Sequence, residues 1–296
     1  MSSTTSQRLF VTGSTGQLGQ LVVAALLGSV PASQIMAGVR DVESEGAQRL
    51  RAKGVEVRVA DYSRPDTLAT AFAGVDRLLL ISSNELGQRE AQHRNVIDAA
   101  KQAGVGLIAY TSVLRADTSP LNLAAEHKLT EIALRMSGVP FVLRRNGFYT
   151  ENYGVSIPAA QANGAVIGCA GGGRISAATR ADFADAAAIV LTSNENQAGR
   201  VYELAGDEAF TMSEFAATIA AASGKPVAYH NLSQADHQAA LVGTGMPDQF
   251  AALLADIDAC AAEGSLFDDG RQLRALIGRP TTPMPKTVAA IANGSV

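Results

Sequence analysis

Along the chain, short, mostly apolar runs alternate with longer stretches in which apolar residues recur every three or four positions. The short runs fall at 9–11, 34–39, 55–59, 78–81, 107–111 and 141–143. At 78–81 the run is continuously apolar, as a parallel strand covered on both faces requires. Helical spacing follows at 17–27, 88–103 and 123–136, and a further helix is predicted with Ser63 as its cap, Pro65 in its first turn and Gly74 after its end. This alternation predicts an α/β fold of the Rossmann type, a doubly wound parallel sheet. Beyond Tyr153 the rhythm changes. Residues 164–173 are glycine-rich and read as a loop, 179–191 as a helix, 201–204 as a strand, and 227–232 as another strand. Thr211 and Glu214 have the spacing of a capping box, opening a helix that stops at Gly224. The expected organisation is a nucleotide-binding domain over 1–153, its first seven residues a disordered tail. A smaller helix-rich domain over 154–296 completes the substrate side, with some segments returning to the main sheet.

The chemistry expected of this framework sits at its strand ends. After the first strand come Gly13, Gly16 and Gly19, the spacing of a tight turn that opens a helix and cradles a pyrophosphate. An ordinary turn has the same glycines, so the motif needs support from elsewhere. The second strand ends in Arg40, where an acidic residue would accept from the ribose 2′-hydroxyl of NAD. A guanidinium pairs instead with a 2′-phosphate, which points to NADPH, although Asp41 beside it weakens the argument. Asp61 and Tyr62 follow the third strand, in position to meet an adenine. Ile81, Ser82, Ser83 and Asn84 end the fourth strand, either beside the ligand or as a helix-capping loop. Arg144, Asn146, Gly147, Phe148 and Tyr149 leave the sixth strand on the same side.

Composition narrows the partner. The 296 residues are 47% hydrophobic and 18% charged, enough to bury a large core, and the net charge of −4 disfavours nucleic acid and anionic membrane surfaces. A small molecule is the expected partner; oligomeric state is left open. Cys169 and Cys260 stand far apart without metal-ligand spacing, so no metal is expected, both read as small core residues, and a reducing cytoplasm suits the chain. No apolar run reaches the roughly 20 residues that span a bilayer.

The segments VTGSTGQLG at 11–19, ISSNELGQR at 81–89, IAYTSVLRADTSPL at 108–121, AEHKLTE at 125–131, LRRNGFYTENY at 143–153 and VYELAG at 201–206 are similar to the NmrA-like group of atypical short-chain dehydrogenase/reductases. Within it they resemble the bacterial members that reduce quinones with NADPH. The resemblance implies that Gly13, Thr15, Gly16, Gln17, Leu18 and Gly19 bind the pyrophosphate and that Arg40 meets the 2′-phosphate. It also implies that 81–84 and 144–149 run beside the cofactor. The wider superfamily uses a Tyr-x-x-x-Lys pair followed by a glutamate; aligning Glu131 to that glutamate puts His127 at the lysine and Leu123 at the tyrosine. The usual proton donor is missing.

A quinone tolerates that loss, because hydride addition gives a delocalised, weakly basic product rather than an alkoxide. The expected reaction is therefore direct hydride transfer to a quinone or another electron-poor aromatic, without a flavin. His127 would orient the ribose or relay a proton, with Glu131 one turn away biasing its tautomer and charge; a structural helix histidine is the alternative. Phe148, Tyr149 and Tyr153 would wall an aromatic acceptor or pack as plain core. A non-catalytic NADP(H)-binding regulator, also expected to lack the Tyr-x-x-x-Lys pair, is the competing function.

Overall fold

A computed structural model describes residues 7–292; the tail expected over 1–7 lies, except for Gln7, outside them. The strands are β1 (Leu9–Val11), β2 (Ile35–Val39), β3 (Glu56–Val59), β4 (Arg77–Leu80), β5 (Leu107–Val113), β6 (Phe141–Asn146), β7 (Ala165–Gly168), β8 (Val201–Leu204) and β9 (Ala228–Asn231). Seven of them form one sheet in the order β3-β2-β1-β4-β5-β6-β8. β1 pairs in parallel with β2 on one side and β4 on the other, Phe10 standing opposite Met36 and Leu78. The chain order reverses direction at β1, and the carboxyl ends flanking such a switch point are where open α/β sheets bind ligands.

The sheet forms because its inner strands are buried on both faces: every residue of β1, β2 and β5 is buried, while the edge strands β3 and β8 are partly exposed. One of its cores gathers Phe10, Met36, Leu68, Phe72, Leu78, Val96, Tyr110 and Leu143. Phe72 meets Phe10 edge to face at 5.1 Å, the arrangement aromatic quadrupoles favour. The helix Gln17–Leu27 buries Leu18, Val22, Val23 and Leu26, a 3-4 spacing that covers β1.

The described chain groups into two compact units. The first holds the residues up to Val113 with Glu126–Arg145 and Phe183–Tyr202; the second holds Leu114–Ala125, Asn146–Asp182 and the chain from Glu203 on. The second unit is rich in helix, including Thr150–Gly154, Ile157–Asn163, Met212–Ser223, Gln234–Gly243, Asp248–Ala262, Gln272–Ile277 and Met284–Ala292. Its β7 and β9 pair in parallel, Gly168 opposite Asn231.

Three local expectations are corrected. Residues 164–173 are not wholly loop, since β7 forms there by pairing with β9, a partner far along the chain. The helix at Pro65 is not capped by Ser63: its cap position is Arg64, and the Ser63 hydroxyl accepts from Gln92 Nε2 at 3.0 Å. A helix at Glu45–Ala52 was not expected; it buries only Ala47 and Leu50, too few apolar positions to make a period visible, and is started by the Ser44 side chain accepting from Ala47 N–H. The capping box of Thr211 and Glu214 is present as expected.

Candidate functional site

A cavity of about 490 Å³ opens at the carboxyl ends of β1, β2 and β4, lined throughout by residues of the first unit. The glycine turn forms one wall: Gly13, Thr15, Gly16, Gln17, Leu18 and Gly19 all line it. Gly13 adopts φ +57°, a left-handed conformation that glycine accepts at no steric cost. At Gly19 a Cβ would lie 2.2 Å from the Gly13 carbonyl oxygen, so the first helical turn folds back on the loop only because that side chain is absent. Neighbouring hydroxyls lock the turn. Thr12 donates to the Leu79 carbonyl at 3.0 Å and accepts from Ile81 N–H at 2.9 Å, while Ser14 donates to the Val11 carbonyl at 2.6 Å. The helix that follows is capped at Gly16 without a side-chain hydrogen bond and has no acidic residue in its first turn. Its N-terminal amides and the positive end of its dipole are therefore left for an anion, which fits a pyrophosphate.

The other strand ends complete the cavity. Arg40, Asp61, Tyr62, Ile81, Ser82, Ser83 and Asn84 line it, as do Gly38, Val39, Ala60, Glu85 and Gln92, which were not among the residues marked from sequence as meeting the cofactor. The Tyr62 hydroxyl bridges Thr12 Oγ1 and the Ile81 carbonyl, and burial holds its pKa above the ordinary tyrosine value. Arg40 Nη1 sits 3.4 Å from Glu85 Oε1, a pair whose side chains are 72% and 46% exposed. Such exposed pairs contribute about 0–1 kcal/mol, so an incoming phosphate has little to displace. Asp41 turns away from this contact and accepts from Glu43 N–H at 2.9 Å. Gln92 donates to Glu85 at 2.7 Å and leaves its own buried Oε1 without a hydrogen-bond partner among the described residues, an acceptor in the cavity lining.

The loop at Ser82 and Ser83 is held by groups behind it. Ser82 N–H donates to Thr111 Oγ1 at 2.8 Å, Ser83 N–H to His93 Nε2 at 2.9 Å, and Arg89 Nε to the Ser83 carbonyl at 2.6 Å. Because His93 Nε2 accepts, its proton is on Nδ1, directed at Thr130 Oγ1 2.9 Å away. Arg89 is itself paired with Glu126 at 3.1 Å. Sequence reasoning passed over Arg89, Gln92 and His93, although their spacing puts them on one helical face. The polar residues of that face all reach the loop or the cavity.

His127 and Glu131 share a helix, Asn122–Ser137, but not a hydrogen bond. His127 is buried, and its Nδ1 lies 2.7 Å from the Tyr110 hydroxyl. Burial, then the nearby Arg89 charge and His93, push its pKa down to about 3, and burial and Arg89 do the same to His93. Burial raises Tyr110 above its ordinary value. Both rings of the Tyr110–His127 pair are therefore neutral near pH 7. Glu131 does not set the tautomer or charge of His127, contrary to expectation. It is fully buried and grips Arg145 with both oxygens, at 2.9 and 2.7 Å, while also accepting from Ser112 at 2.7 Å and Arg135 at 3.1 Å. Its demands are met by cations and a hydroxyl, which leaves nothing for an imidazole.

The remaining candidates do not line the cavity. Arg144 is buried in the first unit, donating to the Phe183 carbonyl at 2.5 Å. Asn146, Gly147, Phe148, Tyr149 and Tyr153 belong to the second unit. Asn146 is buried with both side-chain polar atoms unpartnered among the described residues. Gly147 N–H donates to Leu204, and the Phe148 carbonyl accepts from Ala178 N–H. The Tyr149 ring carries the Arg180 guanidinium 4.6 Å above its centre. Tyr153 packs edge-on against Phe210 and Phe215, at 5.6 and 6.1 Å, which is the core-packing alternative.

The chain is 54% identical over 283 residues to quinone oxidoreductase 2 of Escherichia coli, covering 96% of this chain and 98% of that protein. The crystal structure of the E. coli NADPH-dependent quinone oxidoreductase complexed with NADPH superposes with a TM-score of 0.93, at 53% identity, over 96% of this chain and 99% of that one. Triphenylmethane reductase of Citrobacter sp., complexed with NADP(H), gives a TM-score of 0.91 at 39% identity, over 96% and 99% of the two chains. The profile of the NmrA-like family matches residues 5–282. With that profile spanning most of the chain and one relative 54% identical over nearly its whole length, the chain belongs to the NmrA-like family.

Proposed function

We propose that this protein is an NADPH-dependent oxidoreductase that reduces quinones by direct hydride transfer. The observation that carries the nucleotide half is the cavity itself, where an uncapped helix N-terminus and Arg40 offer two separate anion sites on one wall-to-wall lining. The acceptor half rests on the 54% identity to a quinone oxidoreductase across nearly all of both chains. That same similarity favours an enzyme over a non-catalytic NADP(H)-binding regulator.

The chain's own residues then divide the work. The amides of Gln17, Leu18 and Gly19 receive the pyrophosphate, and Arg40 leaves Glu85 to pair with the 2′-phosphate. Asp61 and Tyr62 border the adenosine end, and Ser82 to Asn84, held by Thr111, His93 and Arg89, form the opposite rim. NADPH, when bound, supplies a hydride from its nicotinamide. His127 acts as a neutral hydrogen-bonding group fixed by Tyr110, since a ring with a pKa near 3 is not an imidazolium acid at pH 7. Hydride addition leaves a delocalised hydroquinone monoanion, which takes its one remaining proton from solvent, because that phenolate-like oxygen is a weak base. A cytoplasmic setting, with its NADPH supply, belongs to this reading.

The test is NADPH oxidation by purified, flavin-free protein across a panel of benzoquinones and naphthoquinones. Quinone-dependent turnover with NADPH preferred over NADH is expected. A protein that binds NADPH tightly and oxidises it with no quinone would overturn the proposal and restore the regulator.

A further inference from the structure

The second unit gathers a thiol, an imidazole and a carboxylate that the proposed reaction leaves unused. Cys169 follows β7, His237 stands early in the helix Gln234–Gly243, and Asp258 lies in the helix Asp248–Ala262. None of the three lines the nucleotide cavity. Their ligand atoms all lie within 4.8 Å of one another. His237 Nδ1 is 3.5 Å from Cys169 Sγ and 3.5 Å from Asp258 Oδ2. One ring nitrogen has at most one hydrogen to give, and the carboxylate stands beyond the ordinary range of about 2.7–3.2 Å for an N–H···O bond. Hydrogen bonding alone gives a poor account of three atoms converging this way.

Coordination geometry gives a better one. In a tetrahedral zinc site, bonds of about 2.3 Å to sulfur and about 2.0–2.1 Å to nitrogen or oxygen place neighbouring ligand atoms about 3.3–3.6 Å apart. The two separations at His237 Nδ1 fall in that interval. Thiolate, imidazole and carboxylate are also a donor set that suits zinc.

The surroundings hold the three groups in place. Asp258 Oδ2 accepts from Cys169 N–H at 3.1 Å. Leu232 N–H donates to the Gly168 carbonyl at 2.8 Å, tying the strand before His237 to the strand before Cys169. Ser233 caps the helix whose first turns carry His237, accepting from Asp236 N–H at 3.1 Å. At Gly168 a Cβ would approach Asp258 Oδ2 to 2.6 Å and the Tyr229 hydroxyl to 3.2 Å, so the missing side chain makes room for the carboxylate. The Tyr229 hydroxyl is already engaged, accepting from Ala170 N–H and donating to Asn231. Cys169 and His237 are buried.

We propose that Cys169 Sγ, His237 Nδ1 and Asp258 Oδ2 bind a zinc ion that clasps β7 to the two helices behind it, with water as the fourth ligand. Binding exchanges the thiol proton, otherwise directed at the Ala255 carbonyl 3.3 Å away, for a sulfur–zinc bond and releases that proton to solvent. The site is structural, and it stands or falls independently of the quinone reductase reading.

The experiment uses the tag-free full chain, stripped with a chelator and titrated first with Co²⁺ and then with Zn²⁺. One equivalent of Co²⁺ is expected to give a thiolate-to-cobalt charge-transfer band with the visible bands of a tetrahedral centre, both removed by Zn²⁺. Zn²⁺ is also expected to raise Tm. Cys169→Ser loses the charge-transfer band, His237→Phe weakens cobalt binding at least about tenfold, and Cys260→Ser changes neither. A folded wild-type chain that shows no cobalt band at one equivalent overturns the proposal whether or not the variants fold. A band unchanged in Cys169→Ser overturns it as well.

Discussion

Arg40 and Glu85 set the charge at one end of the cavity, and their competition can be measured. Arg40→Asp removes a charge-assisted contact worth about 1.5–3 kcal/mol, so NADPH affinity should fall by roughly 10–150-fold while NADH changes little. Equal losses in a binding titration would take Arg40 out of the phosphate site. Glu85→Gln frees the guanidinium from its carboxylate, and tighter NADPH binding with unchanged NADH binding is expected. Glu131 belongs to a different class. Replacing it with Gln removes the buried carboxylate that grips Arg145, which costs about 3–5 kcal/mol of stability, read from urea denaturation midpoints. Sequence alone paired Glu131 with His127 because helical spacing allowed it. The partners that won, Arg145 on β6 and Ser112 on β5, are strand residues whose approach to the helix is a tertiary fact. Arg40 was legible for the opposite reason: a strand end in an open sheet fixes what a residue there can meet.

At the scale of elements, the glycine turn and the helix Gln17–Leu27 act together. Gly19→Ala puts a methyl on the Gly13 carbonyl and forces the first helical turn off the loop. Turnover should be lost and NADPH affinity should fall at least about tenfold, with far-UV circular dichroism largely retained; full activity would mean that the turn can shift without consequence. Strands buried on both faces and glycine-punctuated helices were legible because their signals are local. β7 was not, since four residues, the last of them a glycine, become a strand only when β9 supplies the hydrogen bonds. The helix Glu45–Ala52 escaped because a helix with two buried residues has no stripe to read. In the site, every cavity residue marked from the strand ends between Gly13 and Asn84 does line it. The supports behind them, Arg89 and His93, were missed because they act through the Ser83 backbone rather than facing the ligand.

For the molecule as a whole, two buried neutral histidines make stability depend on acid. His93 and His127 have folded pKa values near 3 against an ordinary 6.5, so the unfolded chain binds more protons between those limits. Their contribution is complete above about pH 6.5 and is lost progressively as pH falls toward about 3. A plot of Tm against pH should therefore drop through that window, and His127→Gln should flatten it. His93 adds a second effect, because protonating Nε2 removes the acceptor that holds Ser83 N–H. NADPH affinity is expected to decline over the same window as Tm.

The path of the chain between its two units bears on how the protein is made. The first unit is finished by Phe183–Tyr202, which leaves the ribosome after Asn146–Asp182 has been committed to the second. A growing chain thus reaches Tyr153 with its nucleotide-binding half still short of β8 and of the helix Arg180–Thr192. The two units cannot be exchanged between relatives by a single cut, and a gene fusion that respects them needs several junctions.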